Sequence, residues 1–278
     1  MKNWLKNEYV VLSGASGGIG RQLCKILIEK YGAFVVGIGR NEEKMLSLKQ
    51  ELGENVDKFT YRLFDVSEQS AWQDLKTDLQ EKGIYPILLI NNAGIFPTFT
   101  KVSETPVDVT SRIMQVNYFS PIYACNALRP ILRGKGKYLP SIVNVSSCAA
   151  LCTVVGTGVY SASKAALKSY TEALMMEEKG KMYVGLICPG TTATELFDGD
   201  ENTKNSALSY IAMPAEKMAK KMATKILCRK RRAVLGLDAK LMSFCAKILP
   251  IRGLFIVRGV MKTSKSKVFK NVFDYKNK

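Results

Sequence analysis

The sequence predicts an α/β fold: a doubly wound, parallel sheet of seven strands with helices on both faces, followed by amphipathic helices at the C-terminal end. Short apolar, β-branched runs alternate along the chain with longer segments of helical period. This repeated order of strand and helix implies right-handed crossovers and a parallel sheet. The 278 residues, 47% of them hydrophobic, are enough to bury the core of one large domain.

Seven apolar runs are the predicted strands. Their near-continuous apolar character suits strands that are buried on both faces, as in a parallel sheet. They cover residues 9–12, 34–38, 59–64, 87–90, 141–145, 183–187 and 233–237. After the first strand, Ile19, Leu23 and Leu27 recur at helical spacing, and a further helix is predicted to follow Ser67 as its cap.

Composition excludes several kinds of chemistry. The chain has no histidine, so a Ser-His-Asp triad, a Cys-His pair and a histidine-ligated metal are ruled out, and we expect no metal site. Its seven cysteines include no Cys-x-x-Cys pair, which favours reduced, packed thiols over a disulfide framework. No apolar run reaches about 18 residues and no secretory signal is recognisable. A cytoplasmic location is therefore expected.

Charge is distributed unevenly along the chain. Residues 1–216 hold 23 Lys/Arg and 22 Asp/Glu, whereas residues 217–278 hold 18 basic and two acidic residues, so the second segment carries +16 of the total +17. Such an asymmetry suggests a surface that meets an anionic partner: a membrane, an acidic protein or a nucleic acid. The alternative is a set of solvated helix faces.

A glycine-rich turn follows the first strand directly and precedes a helical pattern. Glycines at such a turn allow the backbone to approach a pyrophosphate, which the N–H groups at the helix N-terminus then bind. The strand–turn–helix context therefore favours a dinucleotide site over an ordinary tight turn. Its candidate residues are Gly14, Ser16, Gly17, Gly18, Ile19 and Gly20.

The end of the second strand predicts which dinucleotide binds. A fold of this kind that prefers NAD places an acidic residue there to bind the ribose 2′-hydroxyl. This chain has Gly39-Arg40-Asn41 instead, and the Arg40 guanidinium matches a 2′-phosphate. Ser16 supplies a second donor for that phosphate. We therefore expect NADP(H) to be preferred over NAD(H); the alternative is that Arg40 is a solvated surface residue.

Four motifs together resemble the short-chain dehydrogenase/reductase family, in the expected order over residues 8–237. They are Ser13-Gly14-Ala15-Ser16-Gly17-Gly18-Ile19-Gly20, Asp65-Val66, Asn91-Asn92-Ala93-Gly94 and Tyr160-Ser161-Ala162-Ser163-Lys164. Ser13 departs from the family's usual threonine but keeps the hydroxyl. The resemblance implies a single Rossmann-type catalytic domain over 1–237, with a substrate-loop region at 195–225, and a basic amphipathic extension over 238–278.

The resemblance also assigns further cofactor contacts. Asp65 and Val66 would flank the adenine, while Asn91 and Gly94, with Ala93 between them, would support the cofactor cleft and the central strand. The segment Pro189-Gly190-Thr191-Thr192-Ala193-Thr194 matches the family's Pro-Gly-x-x-x-Thr pattern. Pro189 and Gly190 begin this segment, Thr192 would meet the nicotinamide carboxamide, and Thr194 would meet the phosphates.

Tyr160 and Lys164 form a candidate catalytic pair. They are four residues apart in a helical pattern, so both side chains can reach one cleft, and the lysine charge favours the phenolate. Alone, a Tyr-x-x-x-Lys spacing is common on helix surfaces; the resemblance implies that here it is catalytic. Ser147 lies 13 residues before Tyr160, which is the family's spacing for its catalytic serine, so the resemblance implies Ser147 rather than Ser146. Asn117 matches the asparagine that holds a lysine-linked water.

The variable loops point to a lipophilic substrate. Residues 95–100, 149–157 and 194–210 contain the apolar side chains Ile95, Phe96, Leu151, Val154, Val155, Leu196 and Phe197. The favoured function is therefore an NADP(H)-dependent carbonyl reductase or alcohol dehydrogenase that acts as a homodimer or homotetramer. The alternatives are a 3-oxoacyl-carrier-protein reductase, whose basic surface would meet an acidic carrier, and a non-catalytic NADP-binding scaffold.

The extension carries two apolar stripes among basic residues. The first contains Leu241, Phe244, Cys245, Ile248 and Leu249, and the second contains Ile251, Leu254, Phe255, Val257 and Met261. A basic amphipathic pair of helices is too charged to span a bilayer and suits the inner face of an anionic membrane, which residues 239–278 would contact peripherally. The competing interpretation packs these helices over the pocket or into a subunit interface. No nucleic-acid module accompanies the charge.

Overall fold

The computed structural model describes residues 3–194, 212–264, 269 and 271–273. Most of the predicted substrate loop at 194–210, including Leu196 and Phe197, lies outside these described residues. The strands of the described chain are β1 (Tyr9–Ser13), β2 (Phe34–Gly39), β3 (Phe59–Leu63), β4 (Leu88–Asn91), β5 (Ser141–Val145), β6 (Tyr183–Pro189), β7 (Thr192–Ala193), β8 (Met213–Pro214) and β9 (Arg232–Leu235).

Seven of these strands form one parallel sheet in the order β3-β2-β1-β4-β5-β6-β9, which confirms the predicted doubly wound fold. The strand order reverses direction between β1 and β4, and open α/β sheets bind ligands at such a point, outside the carboxyl ends of the strands. The short strands β7 and β8 pair separately with each other, also in parallel.

Helices cover both faces of the sheet. One face carries α1 (Gly18–Lys25), α2 (Glu42–Glu51) and α7 (Ala215–Leu227). The other carries α3 (Gln69–Glu81), α4 (Val107–Met114), α5 (Ser120–Leu128) and α6 (Gly158–Glu177). Two π-helical turns, Ile26–Lys30 and Gln115–Phe119, continue α1 and join α4 to α5. The last two helices are α8 (Leu237–Ile248) and α9 (Arg252–Thr263).

Alternation along β1 shows why the strand is apolar throughout. Val10 and Leu12 pack into the core beneath α1, whereas Val11 packs into the opposite core beneath α3 and α5, and all three side chains are fully buried. Because successive side chains point to opposite faces, a strand covered on both sides needs apolar residues at every position. This burial explains why the strand positions were predictable.

Two local predictions are wrong. The last strand was expected to reach Leu237, but it ends at Leu235 because Gly236 turns the backbone at φ +114° and helix α8 begins immediately afterwards. Ser67 was expected to cap a helix, but its hydroxyl donates to Asp65 Oδ1 (2.7 Å) and α3 begins at Gln69 without a side-chain cap. In both places a local contact or a left-handed glycine overrides the periodic pattern.

The C-terminal helices lie beside a third, smaller apolar cluster. Met261 of α9, together with Phe269, Val272 and Phe273, packs against Phe96 and Phe99 from the loop after β4. The rings of Phe99 and Phe269 meet edge to face with centroids 5.0 Å apart. Part of the extension therefore covers the carboxyl edge of the sheet. Within the described chain, no helix is both long and apolar enough to cross a membrane.

Candidate active site

The Ser13 hydroxyl joins the two strand ends on either side of the point where the strand order reverses. Its Oγ accepts from the backbone N–H groups of Asn92 (3.0 Å) and Ala93 (3.1 Å), and the Asn92 side chain donates to the Ser13 carbonyl (3.1 Å). These bonds hold the end of β4 against the glycine turn. The hydroxyl that Ser13 shares with the family's usual threonine is thus used for this contact.

The glycine turn leaves an open cradle at the N-terminus of α1. Gly14 and Gly18 have positive φ angles of 69° and 44°, and a Cβ at Gly20 would overlap the Gly14 carbonyl, so these positions require glycine. At Gly17 a Cβ would meet nothing within 4 Å. The first turn of α1 has no side-chain cap and no acidic residue. Open N–H groups without a nearby carboxylate fit a pyrophosphate.

Three further predicted contacts lie around this cradle. Ile19 lines the neighbouring cavity. Ser16 lies beside the end of β2, where a Cβ at Gly39 would be 2.9 Å from its hydroxyl oxygen. Thr194 packs against the turn, because a Cβ at Gly18 would be 2.9 Å from the Thr194 Cβ. The structure thus brings the glycine turn, the start of α1, the end of β2 and the segment after β6 to one place.

An ionised aspartate lies at the position that the resemblance assigns to an adenine contact. Arg112 of α4 and the Ser67 backbone and hydroxyl all donate to Asp65. Burial acts to raise the pKa of Asp65, but these hydrogen bonds outweigh it and lower the pKa to about 2. Val66 is buried, and its carbonyl accepts from the Trp72 indole N–H (2.8 Å). Arg112 was missed by sequence reasoning, because no motif marks a contact 47 residues away.

Arg40 occupies the position predicted for recognition of a 2′-phosphate. It follows the last residue of β2, and its side chain is 63% exposed. Its Nη1 lies 3.5 Å from Asp65 Oδ2, at the long limit of a hydrogen bond. A largely exposed guanidinium with one long contact keeps its remaining donors available to a ligand.

Asn91 supports the interior of the sheet. Its Nδ2 donates to Asn144 Oδ1 of β5 (2.8 Å), and Asn144 in turn donates to the Thr171 hydroxyl of α6 (2.9 Å). Both asparagines are buried. This chain of hydrogen bonds fixes α6 against β4 and β5. Asn91 is therefore tied to β5 and, through Asn144, to α6, and its support of the cofactor cleft stays a prediction.

Tyr160, Lys164 and Ser147 come together at the carboxyl ends of β5 and β6. Tyr160 and Lys164 lie one turn apart on α6, with the Lys164 Nζ 6.0 Å from the centre of the Tyr160 ring. Lys164 is almost fully buried and donates to the Val145 carbonyl (3.1 Å). Ser147 and Tyr160 line the same cavity. The predicted serine, tyrosine and lysine are thus one cluster.

Ser146 and Ser147 have different surroundings. The Ser146 hydroxyl donates to the Lys164 carbonyl (2.8 Å), which fixes β5 to α6. The Ser147 Oγ accepts from the Ala149 N–H (3.2 Å) and also lines the cavity beside Tyr160. Of the two serines, Ser147 is the one that lines the cavity, and its catalytic role stays a prediction.

Burial dominates the titration of this cluster. It raises the pKa of Tyr160 to about 12, with the Ser147 hydrogen bond opposing the shift. It lowers the pKa of Lys164 to about 8. The sequence had suggested that the lysine charge would bring the phenol towards neutrality; the structure gives the opposite direction, because desolvation of the phenolate outweighs it. Tyr160 is consequently protonated at neutral pH, the form that donates a proton.

Asn117 lies in the π-helical turn Gln115–Phe119 and is fully buried. Its Oδ1 accepts from the Ile95 N–H (2.8 Å), and its Nδ2 donates to the Ile95 carbonyl (3.0 Å) and the Ser163 hydroxyl (3.1 Å). A Cβ at Gly94 would lie 3.1 Å from the Lys164 Nζ and 3.2 Å from Asn117 Oδ1. Glycine at 94 thus lets the lysine, the asparagine and the loop approach one another.

An aspartate that the motifs did not reveal holds the segment after β6. Asp238, in the first turn of α8, accepts from the Thr191 N–H (2.6 Å). A Cβ at Gly190 would overlap the Asp238 carboxylate. The Thr192 hydroxyl donates to the Gly190 carbonyl (3.0 Å). Asp238 therefore fixes the Pro189-to-Thr192 segment. Because Thr191 and Asp238 are 47 residues apart in the sequence, no local motif indicates this contact.

A cavity of about 250 Å³ adjoins the Ser147–Tyr160 pair. Among the predicted apolar residues, Phe96 and Val154 line it, whereas Ile95, Leu151 and Val155 do not; Val155 packs in the nearby aromatic cluster and Ile95 in the core beneath α3. Helices α8 and α9 and the segment beyond them complete the wall. They contribute Asp238, Met242, Val257, Met261 and Phe269. The extension thus forms part of the pocket.

Comparison with known proteins identifies the family. A profile of the family described as short chain dehydrogenase matches residues 8–205. The chain is 31% identical over 260 residues to the short-chain type dehydrogenase/reductase VdlC of Helicobacter pylori, covering 86% of this chain and 92% of that protein. It is 32% identical over 199 residues to 3beta-hydroxysteroid dehydrogenase 2 of Eggerthella lenta, covering 70% and 75%.

The fold is also that of a short chain dehydrogenase from Shigella flexneri solved with NADP. The TM-score is 0.74 at 24% identity, over 86% of this chain and 100% of that chain. Together with the motifs and the Ser147–Tyr160–Lys164 cluster, the sequence matches show that this chain belongs to the short-chain dehydrogenase/reductase family. It is accordingly an NAD(P)-dependent oxidoreductase, and the resemblance seen in the sequence is confirmed.

Proposed function

We propose that this protein is an NADP(H)-preferring oxidoreductase that interconverts the carbonyl and secondary alcohol of a lipophilic substrate. The observation that carries the proposal is the placement of Ser147 and Tyr160 in the wall of an apolar cavity beside the glycine cradle. The remaining walls contain Phe96, Phe99 and Met261. Because transfer of apolar surface from water into an apolar cavity is favourable, these walls favour an apolar substrate.

Ser147, Tyr160 and Lys164 each have a separate role in carbonyl reduction. Ser147 donates a hydrogen bond to the carbonyl oxygen and so polarises it. Tyr160, protonated at neutral pH, transfers its phenolic proton to the same oxygen as charge develops there. When bound, the nicotinamide supplies the hydride that reaches the carbonyl carbon. Lys164 lies beside the ring of Tyr160, where its ammonium stabilises the phenolate left behind and can hold the ribose.

Asn117 acts through the positions of its neighbours. Its bonds to Ser163 and Ile95 hold the turn before Lys164 against the loop that follows Gly94. In the proposed mechanism it also supports a water that returns protons towards Lys164. No step requires a histidine, which this chain lacks, or a metal ion.

NADP(H) preference is proposed from Arg40. An exposed guanidinium in place of a carboxylate favours the 2′-phosphate through a charge-assisted hydrogen bond. Because the site is open to solvent, we expect the lower end of the range for such bonds, about 1.5 kcal/mol or roughly tenfold in affinity. NADPH and NADH titrations of the wild type and Arg40→Ala measure it. Equal wild-type affinity for the two cofactors would contradict the preference.

The lipophilic substrate class has support from one relative, whose name identifies it as a 3beta-hydroxysteroid dehydrogenase. The decisive experiment is a panel of ketones, including steroid ketones and acyl thioesters, with NADPH oxidation followed optically. We expect turnover of apolar ketones, loss of turnover in Tyr160→Phe with NADPH binding retained, and normal turnover in Tyr123→Phe as the matched control. Preferential turnover of acyl thioesters would favour the carrier-protein reductase, and no turnover of any carbonyl would favour the scaffold.

We further propose a homodimer or homotetramer in the cytoplasm, with peripheral contact at the inner face of a membrane through residues 239–278. The motifs needed for the reaction all precede this segment, and the family resemblance supports assembly from identical subunits. Sedimentation velocity of the full chain measures the subunit number, and a monomer at assay concentration would overturn the oligomer.

A further inference from the structure

The outward faces of α8 and α9 carry an unusual set of exposed apolar side chains. On α8, Leu237, Leu241, Phe244 and Ile248 recur at helical spacing and are 59–84% exposed. On α9, Ile256 and Val260 are likewise exposed, one turn apart, and Ile251 and Phe255 extend the patch. Isolated exposed apolar residues are ordinary on protein surfaces, whereas a patch of this length marks a contact site.

The opposite faces of the same helices are occupied. Met242 of α8 and Val257 and Met261 of α9 line the active-site cavity, and Met261 belongs to the aromatic cluster. The hairpin formed by α8 and α9 therefore has one face committed to the pocket. Its outer face, which we call the hairpin face, is exposed.

A basic groove adjoins the hairpin face. It has a volume of about 670 Å³ and lies between α7 and the segment that runs from β9 into α8. Lys217, Lys221, Lys225 and Lys230 line it and form no ion pair with any residue that the structure describes. The groove is therefore a concentrated positive surface, on elements that precede the extension.

Two further cations in the groove have carboxylate partners. Lys220 pairs with Glu216, and Arg232 lies 3.6 Å from Glu172. Both carboxylates are on helices rather than inside the groove, and neither reaches the four lysines named above. The positive charge of the groove is thus only partly compensated within the described chain.

Lys240 joins the two surfaces. It lines the basic groove, and on α8 it lies three residues after Leu237 and four before Phe244, so it shares their helix face. The apolar side chains of the hairpin face and the uncompensated cations of the basic groove thus meet at Lys240. The arrangement matches an anionic bilayer, in which apolar side chains enter the interface while lysines contact the headgroups.

We propose that the hairpin face and the basic groove form one docking surface for an anionic lipid bilayer. The inference builds on the membrane contact proposed for residues 239–278 and extends it to α7, whereas it is independent of the oxidoreductase activity. A second copy of the chain fits less well, because a twofold interface places each patch against itself and would bring the uncompensated lysines together.

The test uses flotation of full-length protein with vesicles of equal parts phosphatidylcholine and phosphatidylserine, and with pure phosphatidylcholine vesicles. We expect binding to the first, little to the second, and release as salt rises. Lys221→Ala/Lys225→Ala should weaken binding about 25-fold, since each lysine near an anionic surface contributes about fivefold. Lys76→Ala/Lys179→Ala, on the α3 and α6 side of the sheet, removes the same charge and should have no effect.

Phe244→Glu should lower vesicle binding at least about tenfold, because it places a charge where an apolar ring enters the bilayer. Leu46→Glu, an exposed apolar position on α2, is its control. NADPH binding by each variant confirms that it is folded and separates membrane docking from activity. Absence of wild-type binding to anionic vesicles, or equal losses in test and control variants, would overturn the proposal. So would dissociation of an oligomer by Phe244→Glu without vesicle binding, since the hairpin face would then be a subunit interface.

Discussion

Asn117→Ala removes a side chain that is fully buried and makes three hydrogen bonds, and its cost can be worked from the structure. The substitution leaves the Ile95 N–H and carbonyl without their partners at 2.8 and 3.0 Å. The Ser163 hydroxyl keeps its bond to the Tyr160 carbonyl (2.7 Å) and loses only an incoming donor. Two unpaired, partly buried backbone groups at about 1.5 kcal/mol each give a loss of about 3 kcal/mol.

A loss of this size corresponds to a fall in Tm of roughly 6–12 °C for a domain of this size. Thermal unfolding followed by circular dichroism measures it. The control is Asn41→Ala, which removes an exposed cap whose Oδ1 accepts from the Lys44 N–H (2.7 Å) and should cost about 1 kcal/mol. If Asn117→Ala lost turnover while its Tm fell no further than that of the control, the positioning argument would be refuted and a role confined to proton relay would remain.

Three other predictions follow from the same geometry. The value of kcat/KM for reduction should fall as pH rises through about 8, since the pKa of Lys164, lowered by burial, is about 8 and its ammonium is lost above that value; a flat pH profile would contradict this. Gly190→Ala should weaken NADPH binding at least about tenfold, because its Cβ would displace Asp238, whereas Gly259→Ala, in open space, should not. Phe269→Ala should cost about 3 kcal/mol of unfolding free energy in a denaturant titration; an unchanged midpoint would show that the aromatic cluster does not hold the segment.

Much of the site was predictable because its residues are local to one strand end or one helix turn. The Tyr160–Lys164 spacing sets both on one face of α6, and the end of β5 places Ser146 and Ser147 at the carboxyl edge, where the family's spacing favoured Ser147. Arg112 and Asp238 were missed, since each acts on a segment 47 residues away and neither belongs to a local pattern. The direction of the Tyr160 pKa shift was wrong for a related reason: burial is a property of the assembled site.

The extension shows what periodicity can and cannot predict. Its apolar stripes correctly indicated amphipathic helices, but an amphipathic pattern does not say which partner meets the apolar side. The stripe of Leu241, Phe244 and Ile248 is exposed, whereas the second helix places Val257 and Met261 against the pocket. Packing over the pocket thus describes the inner face of the hairpin, whereas an outward contact stays a proposal for its exposed outer face.

The two faces of the α8–α9 hairpin connect the exposed surface to the cavity beside Ser147 and Tyr160. Ser147, Tyr160 and Lys164 are held by β5 and α6, which are fixed to the rest of the sheet by buried hydrogen bonds such as that from Asn144 to Thr171. The cavity wall opposite them is contributed by a hairpin whose outer face is exposed. A shift of the hairpin would therefore reshape the substrate pocket while leaving proton transfer intact. Because Asp238 at the start of α8 also accepts from the Thr191 N–H, such a shift would reach the cofactor cradle through that charge-assisted bond.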